Sequence, residues 1–265
     1  MNDATQFLLA ADEPAPVSVY NADGTSPLLL VADHAGNMIP RALGSLGVAA
    51  AERERHIAWD IGIAGAGRML ADALDATLIR QNYSRLVIDC NRPPAAPTSI
   101  PDISELTPIP GNVGLTDIQR DTRAREIFWP YHERIERELE GRRQAGRATA
   151  LIALHSFTPV FRGVARAWHV ALLYNRDARL AHCLLALLRK EPDLVVGDNQ
   201  PYFVSDATDY TIPVHGERRG LPHALIEIRQ DLIADESGQR KWAGILARLL
   251  PQAYGELGAT SGSGE

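Results

Sequence analysis

Two histidines, a glutamate and a knot of arginines stand at or near the ends of short apolar runs in this chain. Leu28 to Ala32 opens into Asp33, His34, Gly36 and Asn37 and closes at Pro40. Ala148 to Leu154 leads into His155 and Ser156. Leu86 to Ile88 ends in Asp89, Asn91 and Arg92, with Arg85 just before it. Ala224 to Ile228 carries Glu227 among apolar neighbours. Two histidines and a carboxylate from separate elements can hold zinc with one position open for water. Bound zinc lowers the pKa of water toward ~7 and polarises a carbonyl oxygen. A nearby glutamate can take the proton and return it to a leaving nitrogen. One arginine would stabilise the developing oxyanion. A second, with an asparagine, would grip a carboxylate through its planar fork of donors. Together these parts describe hydrolysis of an amide in a small carboxylate-bearing molecule.

Each group also has a plainer reading. His34 alone could be a loop histidine with a structural hydrogen bond. Arg85 or Arg92 could form a salt bridge with Asp89 that pins the loop, and Arg229 is the obvious partner for Glu227. A carboxylate among apolar neighbours must be paired, liganded or perturbed. Ser156 could be a nucleophile, but no Gly-x-Ser-x-Gly elbow surrounds it; beside His155 it is a candidate substrate-binding hydroxyl. His56 and Asp60 are four apart in a helical pattern, which would put them on one face. That pairing suits metal ligation or a carboxylate orienting an imidazole.

The elements that must position these groups alternate. Unbroken apolar runs followed by polar loops read as strands buried on both faces, and catalytic groups in open α/β sheets lie beyond the carboxyl ends of such strands. Strands are expected at Val17 to Tyr20 (an edge), Leu28 to Ala32, Ala76 to Arg80, Leu86 to Ile88, Ala148 to Leu154, His169 to Tyr174, within Asp193 to Asp206, and at Ala224 to Ile228. Helices are expected over Ala49 to Ala76, Arg176 to Lys190 and Lys241 to Leu250. A long charged helix is expected over Asp117 to Gln144, N-capped by Thr116 with Gln119 at the capping-box position and with its charges on a solvated face. GIAGAG, from Gly62 to Gly67, lies inside a helical pattern and is not a dinucleotide fingerprint. Residues 93–116 read as a long lid or specificity loop, and 209–220 as a further loop. Strand–helix alternation without a composition break predicts one α/β domain over 1–265, with 1–15 and 256–265 loose. Right-handed crossovers would bring the candidate groups to one sheet edge.

Bulk composition narrows the classes. The 265 residues are 45% hydrophobic and 23% charged, with a net charge of -6, which makes no electrostatic case for nucleic acid or an anionic membrane. No apolar run approaches the ~18 residues of a membrane span, and the N-terminus has no basic region of a signal peptide. The two cysteines, Cys90 and Cys183, are expected to be free thiols in a cytoplasmic protein.

The ordered segments DHAGNMIP, WDIG, SRLVIDCNRPP, ALHSFTP, GDNQPY, HG and IEIRQDL, spread over residues 28 to 250, resemble the N-formylglutamate amidohydrolase family. That family is similar in fold to zinc carboxypeptidases and aspartoacylase, so the resemblance implies a three-layer α/β/α sandwich with a mixed, mostly parallel sheet. It implies metal histidines at His34 and His155, a general base at Glu227 and a carbonyl-polarising arginine at Arg85. The Asp89-Cys90-Asn91-Arg92 run looks like the Asp-x-Asn-Arg run of aspartoacylase, whose Asn-Arg pair binds the substrate carboxylate. One departure stands out: the wider carboxypeptidase pattern His-x-x-Glu is here His34-Ala-Gly-Asn37. Asparagine is a poor zinc ligand, so the third position falls to Asp60, with His56 as the alternative. The implied function is a zinc-dependent amidohydrolase acting on an N-acyl acidic amino acid such as N-formyl-L-glutamate. The rivals are a related zinc deacylase or carboxypeptidase with another substrate, and a non-catalytic carboxylate-binding protein.

Overall fold

The computed structural model describes residues 7–261, with side chains to residue 257. In chain order its strands are β1 (Val17–Tyr20), β2 (Leu28–Ala32), β3 (Thr77–Gln81), β4 (Ile103–Ser104), β5 (Thr107–Pro108), β6 (Ala150–Phe157), β7 (Val160–Phe161), β8 (Val164–Ala165), β9 (Val170–Leu173), β10 (Val196–Asp198) and β11 (His223–Arg229). The α-helices are α1 (Ala50–Arg53), α2 (Ile63–Leu74), α3 (Asp117–Arg123), α4 (Trp129–Gln144), α5 (Arg179–Leu188) and α6 (Glu236–Ser261). No helix among the described residues is long and apolar enough to cross a membrane.

Seven strands form one mixed sheet in the order β1-β3-β2-β6-β11-β9-β10. The central block β3, β2, β6 and β11 is parallel, and β11 meets β9 antiparallel. Both faces are covered, as the unbroken apolar runs require. Leu28, Leu30, Ile152, Leu154 and Ile226 pack under α2, α5 and α6. Leu29, Val31, Leu151, Ala153 and Leu225 face the opposite layer, with Ile127, Tyr131 and Ile135. This is the expected α/β/α sandwich. Alternation along the strands puts Glu227 and His155 on the second face, at facing register positions of adjacent parallel strands. A one-residue slip of either strand would move its side chain to the opposite face.

Several expected elements differ. The helix expected over Ala49 to Ala76 is broken. Residues 54–62 form turns, and Gly62 enters α2 with φ +82, a left-handed conformation that costs glycine little. A Cβ there would lie 2.0 Å from the Ile233 carbonyl oxygen. The broken segment bonds elsewhere: Asp60 N–H donates to the His34 carbonyl at 2.9 Å, and Arg85 N–H to the Ala58 carbonyl at 3.1 Å. His56 and Asp60 therefore do not share a helix face. Leu86 to Ile88 is fully buried but is a turn, not a strand. Its carbonyls accept from side chains, Leu86 from Asn112 Nδ2 at 2.9 Å and Val87 from Arg123 Nη1 at 2.9 Å. β6 runs three residues past Leu154, so His155 and Ser156 lie within a strand. Ile212–Gly216 is a π-helical turn followed by a 3-10 turn, Glu217–Arg219, where a loop is expected. The long 93–116 loop contains the β4–β5 hairpin.

The N-terminal segment from Phe7 packs onto the fold: Leu8 and Leu9 donate their N–H groups to the Glu126 carboxylate at 2.7 and 2.9 Å. At the other end α6 continues to Ser261, beyond the expected Leu250; the rest of the expected loose ends, 1–6 and 262–265, lies outside the described residues.

The charged helix is helical throughout, with the Thr116 capping box formed and a π-helical turn, Ala124–Phe128, between α3 and α4. Its face is not wholly solvated. Arg142 is buried and donates to the Ser26 carbonyl at 3.1 Å and to Thr77 Oγ1 at 3.1 Å, tying α4 to β3 and to the residues just before β2. His132, also buried, stacks on His215, with Nδ1 3.0 Å from His215 Nε2 and Nε2 2.8 Å from the Cys90 carbonyl. Burial pushes His132 down to about 4 and His215 down to about 3. Both are neutral in the fold, whereas each titrates near ~6.5 when unfolded. Between these values the unfolded chain binds more protons, so their contribution is complete above ~6.5 and is lost on acidification. The denaturant stability of the wild type should fall between pH 6.5 and 4, by at most ~1.4 kcal/mol per pH unit for each of the two histidines. His215→Gln should fall less steeply over the same window; equal slopes would show that His215 is not held neutral.

Candidate active site

The carboxyl ends of β2, β6 and β11 open onto a cavity of ≈ 580 Å³. His34 follows β2, His155 lies in β6 and Asp60 descends from the broken helical segment. Their nearest nitrogens face one carboxylate oxygen: Asp60 Oδ2 is 2.9 Å from His155 Nδ1 and 3.5 Å from His34 Nδ1. The three residues offer ligand atoms all within 4.8 Å of one another.

The far nitrogens are fixed by two more buried carboxylates. His34 Nε2 lies 2.7 Å from Asp89 Oδ1, and His155 Nε2 lies 3.0 Å from Asp33 Oδ2. Asp33 is itself held, its Oδ1 accepting from Tyr131 OH at 2.8 Å and Thr211 Oγ1 at 2.7 Å. Asp89 accepts from Arg85 Nη2 at 2.6 Å and from the Asn91 N–H at 2.9 Å. A carboxylate on one imidazole nitrogen fixes the tautomer and turns the other nitrogen toward a metal. Asp89 was legible in the Asp-x-Asn-Arg run as an ion-pair partner only. Asp33 had no sequence signal beyond its place before His34.

The electrostatics follow. Burial disfavours the charged form of His34, and Arg85 adds to this, but Asp89 and Asp60 outweigh both and raise its pKa. Burial likewise opposes charge on His155, yet hydrogen bonds to Asp33 and Asp60 hold it well above the usual imidazole value. Asp60 moves the other way: burial raises it, and the two histidines pull it below the usual carboxylate range. With neutral imidazoles, Asp33, Asp60 and Asp89 against Arg85 leave the cluster with a net charge near -2. This suits a divalent cation. His34 Nδ1, buried with no hydrogen-bond partner, is the donor such an ion would satisfy. The His-His-Asp set is one that holds zinc with a position left open.

Around this cluster stand the other candidates. Glu227 is 7% exposed, and its Oε2 has no partner. Burial, with the Asp60 charge, pushes its carboxyl up to about 7. Arg229, its expected partner, instead pairs with Asp231 at 2.8 Å. Arg85 spans Asp89 at 2.6 Å and Asp60 at 3.7 Å. Arg92 lines the cavity, with Asp209 its ion-pair partner at 3.9 Å. Asn91 donates to Asp209 at 3.0 Å and accepts from the backbone of Tyr210 and Thr211, so much of its amide positions the 209–211 segment. Ser156 Oγ donates to the Ile61 carbonyl at 2.9 Å. His56, the alternative third ligand, stands apart from the cluster and faces Glu105 Oε2 at 3.5 Å. Asn37 does not line the cavity; its side-chain oxygen is buried without a partner.

The profile of the N-formylglutamate amidohydrolase family matches residues 26–234. The chain belongs to this family. Its fold is closely similar to that of Atu2144 from Agrobacterium tumefaciens, at a TM-score of 0.91 and 38% identity over 94% of this chain and 99% of that one. An N-formylglutamate amidohydrolase from Ralstonia eutropha JMP134 shares the fold at a TM-score of 0.64 and 21% identity, over 91% of this chain and 98% of that one. Among curated proteins no sequence matches. The family match spans β2 to β11 and so contains every residue of the His34 cluster.

Asp33 provides a test of the outer carboxylates. Were the cluster to take up zinc, Asp33→Asn is expected to weaken that affinity about 10- to 100-fold, read by competition with a chromophoric chelator. Equal affinity in variant and wild type would remove Asp33 from that role.

Proposed function

We propose that this chain is a metal-dependent amidohydrolase that removes the N-acyl group, formyl in the first instance, from an acidic amino acid. N-formyl-L-glutamate would give formate and glutamate. One observation carries the reading: a buried His-His-Asp cluster with an unpartnered nitrogen shares a cavity with an unpartnered glutamate and two arginines. Membership of the family supports amide hydrolysis; the substrate and the metal are our inference.

His34, His155 and Asp60 would hold a divalent metal, zinc being the ion their donor set suits. When bound, it would supply polarisation of the amide carbonyl and a lowered pKa for water. Glu227 takes the proton from the attacking water as its oxygen bonds to the acyl carbon. It then delivers that proton to the nitrogen as the C–N bond breaks. A base poised at about 7 can do both near neutral pH. Arg85, held in place by Asp89 and Asp60, presents its remaining donors to the developing oxyanion. Arg92, more loosely tied to Asp209, takes a substrate carboxylate, with Asn91 setting the geometry of that corner. Ser156 lines the same wall.

Elemental analysis of the purified protein should find close to one divalent metal per chain, and chelation should abolish formate release from N-formyl-L-glutamate. A metal-free protein that takes up none on reconstitution would sink the mechanism. Metal without formate would retain the hydrolase and redirect the search to other N-acyl amino acids.

Glu227→Gln should fold, keep its metal and lose about 10²- to 10⁴-fold in kcat. Retained turnover would take Glu227 out of the reaction. Arg92→Lys should chiefly raise KM; an effect confined to kcat would assign Arg92 to the oxyanion instead.

A further inference from the structure

Beyond its charged groups the cavity has a wall that the chemistry above does not use. Phe157 at the end of β6, Phe161 in β7, and Tyr202 and Phe203 after β10 line it, with Ile103 of β4 at the rim. Arg166, 8% exposed, lies behind this wall. Its guanidinium carbon sits 4.7 Å from the ring centroids of both Phe161 and Tyr202 and 5.9 Å from that of Phe157, within the range of cation–π attraction. One buried cation thus ties together rings from three separate segments.

The wall stands beside the reacting groups and carries little polarity of its own. Burial raises the Tyr202 pKa, and the Glu227 charge adds to that rise, so the phenol is within electrostatic reach of Glu227. Glu105, the carboxylate on this side, is spent on Arg55 and on the Arg162 N–H. Thr158 Oγ1 donates to the Val160 carbonyl at 2.8 Å. Burial lowers the His56 pKa, which leaves that imidazole neutral near pH 7. The rim is apolar and open: Phe203 is 67% exposed and Ile103 58%. Large apolar side chains exposed around a cavity mark a surface that a ligand covers. At ≈ 580 Å³ the cavity is in the range that encloses a drug-sized molecule, and a formyl amino acid fills only part of it.

The run of the substrate decides which part meets this wall. Arg92, Asn91 and Asp209 form the carboxylate corner. An amide held between the His34 cluster and Glu227, with its amino-acid half in that corner, sends its acyl half toward the remaining lining. A formyl group, with hydrogen alone on its carbon, offers those rings nothing. We propose that the aromatic wall is an acyl subsite, and that the chain hydrolyses N-acyl amino acids whose acyl group is an apolar chain of several carbons or an arylacetyl group. This rests on the proposed amidohydrolase reading and widens its substrate class. The balance of the reaction is unchanged: water adds to the acyl carbon, the C–N bond breaks, a proton passes to the nitrogen, and the products are a carboxylic acid and the amino acid.

The test follows release of glutamate, the common product, from N-formyl-, N-acetyl-, N-hexanoyl- and N-phenylacetyl-L-glutamate. Each buried methylene is worth about fourfold in binding. The wild type should therefore cleave the hexanoyl and phenylacetyl compounds with kcat/KM about tenfold or more above that of the acetyl compound. Phe161→Ala should lower the ratio of hexanoyl to formyl kcat/KM about tenfold, and Phe203→Ala, at the rim, about threefold. Calorimetric binding to Glu227→Gln gives a readout without turnover. There N-hexanoyl-L-glutamate should bind about tenfold more tightly than N-formyl-L-glutamate, and adding Phe161→Ala should remove most of the difference. Phe203→Ala, an exposed position, keeps the comparison open where Phe161→Ala does not fold. If no N-acylglutamate is cleaved but the difference is found and falls in these variants, the amidohydrolase reading fails and the subsite stands. If the hexanoyl compound binds no more tightly than the formyl compound, or the difference survives both variants, the subsite is overturned whichever compounds are cleaved, and the exposed rim is left to a protein surface.

Discussion

Two imidazoles, each gripped by a carboxylate through its outer nitrogen, set the terms for the rest of this site. Asp89 on His34 and Asp33 on His155 can only accept, so each Nε2 carries a proton and each Nδ1 is left to face Asp60. At those inner nitrogens a proton and a divalent cation are alternatives. The three carboxylates raise the affinity for a proton, which is why both imidazole pKa values are raised despite burial, and would favour a divalent cation for the same reason. The arrangement would be untenable if the carboxylates were loosely held. Tyr131 and Thr211 hold Asp33, while Arg85 and the Asn91 amide hold Asp89.

The sheet makes this convergence possible. β2, β6 and β11 are parallel neighbours, so their carboxyl ends coincide, and the period of two sends His155 and Glu227 to the same face side by side. The remaining groups come from irregular backbone. Asp60 sits on a segment whose N–H groups bond to His34 and whose carbonyl at Ala58 accepts from Ser84 and Arg85. One set of backbone bonds therefore joins the loop after β2, the broken helix and the arginine turn. At Gly36 a Cβ would lie 2.0 Å from the Asn82 backbone, so glycine is the residue that lets the His34 loop pack against the start of that turn.

How much of this was legible depended on whether the signal was local. The runs Leu28 to Ala32 and Ala224 to Ile228 are strands because unbroken burial leaves little alternative, and the groups at their ends followed. Leu86 to Ile88 has the same composition and burial but satisfies its carbonyls with Asn112 and Arg123. Apolarity reports burial, not the identity of the hydrogen-bond partner. The helical period through Ile57 and Ile61 likewise marks buried or half-buried positions on a turn, and only the left-handed Gly62 shows where the helix begins. Charge on α3 and α4 suggested solvent, yet Arg123, His132 and Arg142 reach inward to groups far away in sequence. Asp33 was hidden for the same reason: Tyr131 and Thr211, which make this turn residue an anchor, lie 98 and 178 positions along the chain.

The arginines show how one residue type divides into roles by what it already holds. Arg85 is locked between Asp89 and Asp60, and its charge is balanced within the cluster. A group so fixed suits charge that appears only during reaction, because it needs no reorganisation then. Arg92, with one partner at 3.9 Å, has donors to spare for a ground-state ligand. Glu227 completes the logic from the other side. Burial and the Asp60 charge raise its carboxyl, while His155, His34 and Arg85 pull against that shift. The outcome, about 7, is a balance between the desolvation that would suit it to act as a base and the cations that keep it from remaining permanently protonated. In the proposed reaction an anionic substrate seated on Arg92 would tip that balance upward and favour proton uptake by Glu227.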